Sequence, residues 1–153
     1  AETYSGSTLY TSCFSAQSGF FTRHIFCAPY SADKVLKIDM GTGSSTQLTE
    51  TYSGSNLYAS CVLVAENTNS KMWCAPYSAD KVLKIDTSAD SSTQLAETYS
   101  GSNLYASCAL GSSNNVWCAP YSADKVLKID TRPPTSSPTS SPTNSPTSSP
   151  ATN

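Results

Sequence analysis

The chain has 153 residues, and its 9 Lys+Arg against 11 Asp+Glu give a net charge of −2. So little charge leaves no basic surface for nucleic acid or an anionic membrane, and we expect neither as a partner. The longest purely apolar run, Cys61 to Ala65, is too short to cross a bilayer, so no membrane span is expected. Six cysteines in a small chain predict an oxidising, extracellular location.

Three copies of one sequence unit fill most of the chain. The segment Tyr-Ser-Gly-Ser begins at Tyr4, Tyr52 and Tyr99, with spacings of 48 and 47 residues. In each copy the block CAPYSADKVLKID follows unchanged. Self-similarity at a fixed period is typical of repeat architectures. The units, called repeats one, two and three, are residues 1–48, 49–95 and 96–131.

Each repeat is predicted to form short antiparallel strands, four in a complete copy, so the predicted fold class is all-β. No window has a helical period of apolar residues, and the β-forming residues are interrupted by Ser, Gly, Asn and Pro. In repeat two the strands are predicted around NLYASCVL, KMWCAPY, KVLKID and STQLAETY, with turns at SGS and ADK. In the KVLKID strand of repeat one, alternation predicts that Leu36 and Ile38 are buried. Val35, Lys37 and Asp39 are then predicted to face solvent.

The cysteines fix a register for the first hairpin of each repeat. If Cys61 lies opposite Cys74, Val62 lies opposite the large indole of Trp73. The same register pairs Phe14 with Phe26, Ala109 with Trp117 and Tyr58 with Tyr77. Complementary sizes at the positions beside the cysteines favour this arrangement. The predicted disulfides are Cys13–Cys27, Cys61–Cys74 and Cys108–Cys118.

The block WCAPYSADKVLKID, followed by STQL, resembles a repeat of secreted algal and protist proteins. That repeat has the form Y/W-C-x-P-x-x-A-x-x-V-L-x-I-D, and the resemblance covers residues 1 to 131. It implies repeats that resemble four-stranded β-propeller blades. Three blades are fewer than the four at which single-chain propellers begin, so open stacking or completion by several chains is considered. A β-trefoil is the alternative fold, because three repeats close it without help.

The ends of the repeat region leave one strand incomplete. Repeat three passes from Asp130 directly into a different kind of sequence and lacks the STQL strand. The chain opens with AETYS, the second half of that same predicted strand. Such ends can be matched within one ring or between successive subunits.

Residues 132–153 form a tail of Pro, Ser and Thr with a proline at every fourth position from 134. This composition predicts extended polyproline II and is typical of an O-glycosylated stalk, with a bare linker as the alternative. The candidate O-glycosylation residues are Thr135, Ser136, Ser137, Thr139, Ser140, Ser141, Thr143, Ser145, Thr147, Ser148, Ser149 and Thr152. In the algal setting that the resemblance implies, the candidate hydroxyprolines are Pro134, Pro138, Pro142, Pro146 and Pro150.

The sequence carries no constellation that predicts catalysis. A Ser/His/Asp set would have to use His24, the single histidine, which we interpret as a solvated loop residue beside Arg23. Phosphate-loop and zinc spacings are missing, so we expect no enzyme activity, metal or cofactor, only covalent O-glycans. Six repeated acidic residues are interpreted as ordinary turn and strand-end residues rather than a calcium site. They are Asp33, Asp80, Asp124, Asp39, Asp86 and Asp130.

Tyrosines are the remaining candidates for binding. An exposed row of tyrosines can stack on sugar rings, whereas rings packed between sheets are core or subunit contacts. The candidate sugar or partner contacts are Tyr10, Tyr58, Tyr105, Tyr30, Tyr77 and Tyr121.

Three functional hypotheses follow. The first is an extracellular structural subunit of a glycosylated filament or surface coat, which binds itself head to tail through repeat contacts and terminal strand complementation. The alternative is a carbohydrate-binding lectin or adhesin with the tail as its stalk. A third is an accessory module of an enzyme whose catalytic domain lies outside this chain.

Overall fold

The computed structural model describes residues 3–18, 22–66 and 69–132. These residues form eleven β-strands and one short 3-10 turn at Ser112–Asn114, so the all-β prediction is confirmed. The strands are β1 Tyr10–Ser18, β2 Thr22–Pro29, β3 Leu36–Asp39, β4 Ser45–Gln47, β5 Ser60–Glu66, β6 Asn69–Ala75, β7 Leu83–Asp86, β8 Ser91–Gln94, β9 Tyr105–Leu110, β10 Asn115–Pro120 and β11 Leu127–Asp130. Within the described ranges no helix has the length and apolar character needed to cross a membrane.

Each repeat folds into its own antiparallel sheet. The strand orders are β1-β2-β3-β4 in repeat one, β5-β6-β7-β8 in repeat two and β9-β10-β11 in repeat three. Repeat three therefore has three strands in the described part of the chain, and β11 is its edge. No strand pairs with a strand of another repeat in the described ranges, so the repeats are joined through their faces and connections.

The cysteines set the hairpin register as predicted. Cys61 lies opposite Cys74 and Val62 opposite Trp73. Equivalent pairs in the other repeats are Cys13 with Cys27, Phe14 with Phe26, Cys108 with Cys118 and Ala109 with Trp117. All three cysteine pairs are disulfide-bonded.

The predicted pairing of Tyr58 with Tyr77 is wrong. Pairing of β5 with β6 ends at Ser60, and the Tyr77 N–H donates to the Leu57 carbonyl at 2.8 Å instead. The residue before Tyr77 is Pro76, which has no N–H to continue the ladder, so the regular register stops there.

The fourth strand is shorter than predicted, since β8 ends at Gln94 and the AETY residues leave the ladder. They bind the connection between β6 and β7 instead. The Leu95 N–H donates to the Val82 carbonyl at 2.9 Å, and the Tyr99 N–H to the Asp80 carbonyl at 2.7 Å. This segment thus runs along repeat two before it enters repeat three.

Strand alternation gives every sheet two faces. The disulfide face carries the cystine, and the aromatic face carries Phe26, Trp73 or Trp117 on the second strand. The aromatic face of repeat one packs on the disulfide face of repeat two, and the aromatic face of repeat two packs on the disulfide face of repeat three. The core therefore lies between sheets.

The prediction that Val35 faces solvent is wrong. Val35 is fully buried in the first inter-sheet core, as Val82 is in the second. Alternation correctly separates the faces of a strand, but it does not reveal that a neighbouring sheet covers the second face.

Candidate functional site: the uncovered end of repeat three

The aromatic face of repeat three has no sheet against it in the described part of the chain. Trp73 in repeat two is 5% exposed, whereas the equivalent Trp117 is 44% exposed. Val82 is 1% exposed, whereas the equivalent Val126 is 57% exposed. Identical sequence blocks therefore present a buried surface in repeat two and an open apolar surface in repeat three. Exposed apolar groups clustered in this way mark an interaction surface.

The edge beside this face is also open. In repeat two the Val82 carbonyl accepts the Leu95 N–H at 2.9 Å, but the described residues supply no such donor to the Val126 carbonyl. A groove of about 500 Å³ lies here, lined by Tyr99, Tyr105, Asp124, Val126 and Leu127 among others. The corresponding groove of repeat two is about 420 Å³ and is lined in part by Gln94 of its fourth strand.

The same hydrogen bonds cross both internal interfaces. The Leu57 N–H donates to the Tyr30 carbonyl at 2.8 Å, and the Leu104 N–H donates to the Tyr77 carbonyl at 2.7 Å. The Cys61 N–H donates to Ser12 Oγ at 3.1 Å, and the Cys108 N–H donates to Ser60 Oγ at 3.0 Å. The two interfaces are thus one contact made twice.

Repeat one presents the other half of that contact. Its disulfide face carries Ile25 and Ile38, which are half-buried, and the exposed Cys13. The equivalents of the two isoleucines in repeat two, Met72 and Ile85, are fully buried under repeat one. The two ends of the described chain are therefore an uncovered disulfide face and an uncovered aromatic face, as expected of a heterologous contact.

One lysine per repeat lies over the ring on the aromatic face. The Nζ-to-centroid distances are 5.9 Å for Lys37 and Phe26, 5.7 Å for Lys84 and Trp73, and 5.5 Å for Lys128 and Trp117. Lys37 also pairs with Asp90 of repeat two, with Nζ and Oδ2 at 2.6 Å. The open face therefore combines an apolar centre with a cation over its ring.

The six candidate tyrosines divide into two sets. Tyr30, Tyr77 and Tyr121 form a row across the three repeats, with ring centroids 6.1 and 6.3 Å apart. Tyr121 at the end of the row is 69% exposed. This row is the part of the tyrosine prediction that remains accessible to a ligand.

The other three candidates pack beneath the tyrosines of the Tyr-Ser-Gly-Ser segments. Each ring meets its neighbour edge-on, at centroid distances of 6.4 to 6.5 Å. The pairs are Tyr10 with Tyr4, Tyr58 with Tyr52 and Tyr105 with Tyr99. Burial raises the pKa of Tyr58 well above its ordinary value, and the hydrogen bond from Gln94 offsets part of that rise.

A serine of the fourth strand joins two side chains in repeat two. The Tyr52 hydroxyl donates to Ser92 Oγ at 2.7 Å, and Ser92 Oγ donates to Glu50 Oε2 at 3.3 Å. Repeat three keeps the equivalents of the tyrosine and the glutamate, Tyr99 and Glu97, without that serine. Burial, together with Glu97, raises the pKa of Tyr99 to about 12.

His24 is not a loop residue, because it lies in β2 and its side chain is 12% exposed. Its Nε2 lies 3.6 Å from Asp39 Oδ2, and its Nδ1 is buried with no hydrogen-bond partner among the described residues. No nucleophile is placed beside it by the described contacts, so the geometry gives His24 a packing position.

The strand-end aspartates close turns. Asp39 Oδ1 accepts the N–H groups of Gly41 at 2.7 Å and Thr42 at 3.0 Å. Those two backbone hydrogen bonds lower the pKa of Asp39. Within residues 3–132, apart from the gaps given above, no three His, Cys, Asp or Glu side chains gather as metal ligands.

The predicted O-glycosylation and hydroxyproline residues, Thr135 to Thr152 and Pro134 to Pro150, lie outside the described residues. Sequence reasoning noticed the missing strand of repeat three but missed its uncovered aromatic face. The available signal was the repeated valine before Leu127, since one position cannot be covered in every copy when copies stack in a row. Comparison of the chain with protein-family models, curated proteins and solved structures gave no match.

Proposed function

We propose that this chain is an extracellular structural subunit that assembles with itself, head to tail, into a filament or surface coat. The observation that carries the proposal is the repetition of one heterologous contact between repeats, with its two halves left uncovered at opposite ends. A heterologous contact that does not close on itself generates a linear assembly. Both halves already fit one another within the chain, so a second copy is the natural occupant.

The apolar character of the open end supports a stable contact. Trp117 and Val126 are large apolar side chains whose equivalents in repeat two are almost completely buried. Burial of such side chains contributes about 25 cal/mol per Å² of apolar area removed from water. The sheets would continue from subunit to subunit as propeller-like blades, in an open stack or in a ring completed by several chains.

The compartment and the tail are argued from composition. Three disulfides need an oxidising environment to persist, which supports an extracellular location. A Pro/Ser/Thr tail with O-glycans would extend from each subunit and coat the assembly with sugar. The intact mass tests this part, because glycans would add to the 16.2 kDa of the polypeptide.

Electron microscopy of the purified, oxidised chain tests the assembly. The proposal predicts filaments or sheets whose abundance rises with protein concentration. Dispersed monomers at all concentrations would exclude it. A matched control is Ala89→Lys, an exposed turn position away from both open faces, which should assemble like the wild type.

Carbohydrate binding is the second candidate function, and the tyrosine row favours it. Tyr30, Tyr77 and Tyr121 present neighbouring rings on one side of the repeats. Aromatic faces of this kind stack on sugar rings. A glycan array tests it: binding that Tyr121→Ala and Tyr77→Ala both abolish supports a lectin, and no binding by the wild type excludes one.

A further inference from the structure

The fourth strands of repeats one and two show what fills the groove that is open in repeat three. β4 pairs with β3, and β8 pairs with β7 in the equivalent register. The residue after each strand then donates its N–H across the groove. Leu48 donates to the Val35 carbonyl at 2.9 Å, and Leu95 donates to the Val82 carbonyl at 2.9 Å. Both segments have the sequence Ser-Ser-Thr-Gln-Leu.

Side chains of this segment are held as well as its backbone. Gln94 Nε2 donates to the Tyr58 hydroxyl at 2.9 Å, and Gln47 Nε2 donates to the Tyr10 hydroxyl at 3.1 Å. Ser45 and Ser92 accept the hydroxyl groups of Tyr4 and Tyr52 at 3.0 and 2.7 Å. The groove thus distinguishes a Gln and a Ser by hydrogen bonds that an apolar residue cannot replace.

Repeat three retains the receiving half of every one of these contacts. Tyr105 is the equivalent of Tyr58, and its hydroxyl bonds the Lys125 carbonyl at 3.1 Å, which leaves its oxygen able to accept from a Gln. Tyr99 stands where Tyr52 binds the serine. The backbone of β11 is an unpaired sheet edge in the described chain, and such edges accept extended strands.

We propose that the edge of β11 is a binding site for an extended Ser-Ser-Thr-Gln-Leu segment of another polypeptide. This chain contains that sequence only at residues 44–48 and 91–95, and both copies already fill their own grooves. The Pro/Ser/Thr tail is the wrong chemistry, because it has no leucine and its regularly spaced prolines lack the N–H that a ladder requires. The inference deepens the proposed function, since it adds a strand contact to the face contact, but a single subunit suffices to measure it.

A fluorescently labelled peptide with the sequence of residues 91–99, SSTQLAETY, is the probe. Titration of the full chain by fluorescence anisotropy should show saturable binding at one site. Hydrogen exchange should show protection of amides in Leu127–Asp130 when the peptide is present. N-methylation of the peptide leucine keeps its side chain and removes the N–H equivalent to Leu95, so it should weaken binding about tenfold.

Two receptor variants form a matched pair. Tyr105→Phe removes the hydroxyl that would receive the peptide glutamine and should weaken binding about fivefold. Tyr58→Phe changes the equivalent residue of repeat two, whose groove is occupied by β8, and should leave peptide affinity unchanged.

Absence of saturable binding would overturn the inference, as would binding that is insensitive to the N-methyl group or that leaves β11 unprotected. Filaments without peptide binding would keep the proposed function and reject this site. Peptide binding by a chain that stays monomeric would keep the site and reject the filament.

Discussion

Repeats two and three carry the same thirteen residues, CAPYSADKVLKID, in opposite surroundings. In repeat two this block lies between two sheets, and Val82 is 1% exposed; in repeat three one face is open, and Val126 is 57% exposed. The local fold is nevertheless the same, with the same disulfide and the same pairing of the second and third strands. The comparison teaches that the block determines the sheet, whereas the neighbouring repeat determines whether the sheet is buried.

Stacked repeats of this kind distribute stability between units and the contacts that join them. Each inner sheet is stabilised by two interfaces, and each end sheet by one. The open end of repeat three is consequently where added contacts gain most, and the interior of repeat two is where lost contacts cost most. Substitutions at equivalent positions separate these effects.

The largest difference is expected for lysine in place of the repeated valine. Val82→Lys would place a charge in a closed core and should reduce the free energy of unfolding by about 4 kcal/mol or prevent folding. Val126→Lys places the same charge in water and should change it by less than about 0.5 kcal/mol. Urea denaturation of dilute, monomeric protein measures both. Equal losses would show that repeat three is covered in solution by something other than a second subunit.

A smaller difference is expected when the indoles are removed. Trp73→Ala opens a cavity between repeats two and three and should cost about 3 kcal/mol. Trp117→Ala removes a ring that is already 44% exposed and should cost about 1 kcal/mol, because part of its surface never leaves water. Thermal unfolding of the two variants under identical conditions provides the comparison. A cost for Trp117→Ala as large as that for Trp73→Ala would contradict the open face.

The smallest effect is expected from the buried tyrosines at alkaline pH. Burial raises the pKa of Tyr58 above its unfolded value of about 10, so the stability linked to its neutral form is fully present below pH 10. That stability is lost as the pH rises above 10 towards the folded pKa. The unfolding temperature of the wild type should therefore fall between pH 10 and 11.

Tyr58→Phe should flatten that decline, because the replacement has no proton to lose. Tyr121→Phe changes the exposed end of the tyrosine row and should leave the decline in place. If Tyr58→Phe declines with pH as steeply as the wild type, titration of this hydroxyl does not limit alkaline stability.

Much of each sheet could be predicted because its information is local. Paired cysteines at hairpin spacing fix the register through Cys61 and Cys74, and the volumes of Val62 and Trp73 agree with it. The all-β class and the missing strand of repeat three also follow from residues close together in sequence. The same reasoning failed at Tyr77, where the preceding proline ends the ladder, a detail that propensity does not resolve.

The arrangement of the sheets could not be predicted, because it depends on contacts between distant residues. The burial of Val35 and the placement of Tyr58 beneath Tyr52 both come from a neighbouring repeat or the segment that joins two repeats. His24 was assigned to a loop because the length of the variable segment suggested one, although its second part continues β2. The uncovered face, on which the proposed function depends, is a property of the stack rather than of any one repeat.

The central claim is that the two ends of the subunit are the two halves of one heterologous contact. Val126→Lys blocks the aromatic face of repeat three, and Ile38→Lys blocks the disulfide face of repeat one, so neither variant should assemble alone. Each keeps one intact half, and an equimolar mixture should give a species of twice the monomer mass, and nothing larger, by sedimentation velocity. Assembly of either variant alone, or a mixture that stays monomeric while the wild type assembles, would contradict the claim.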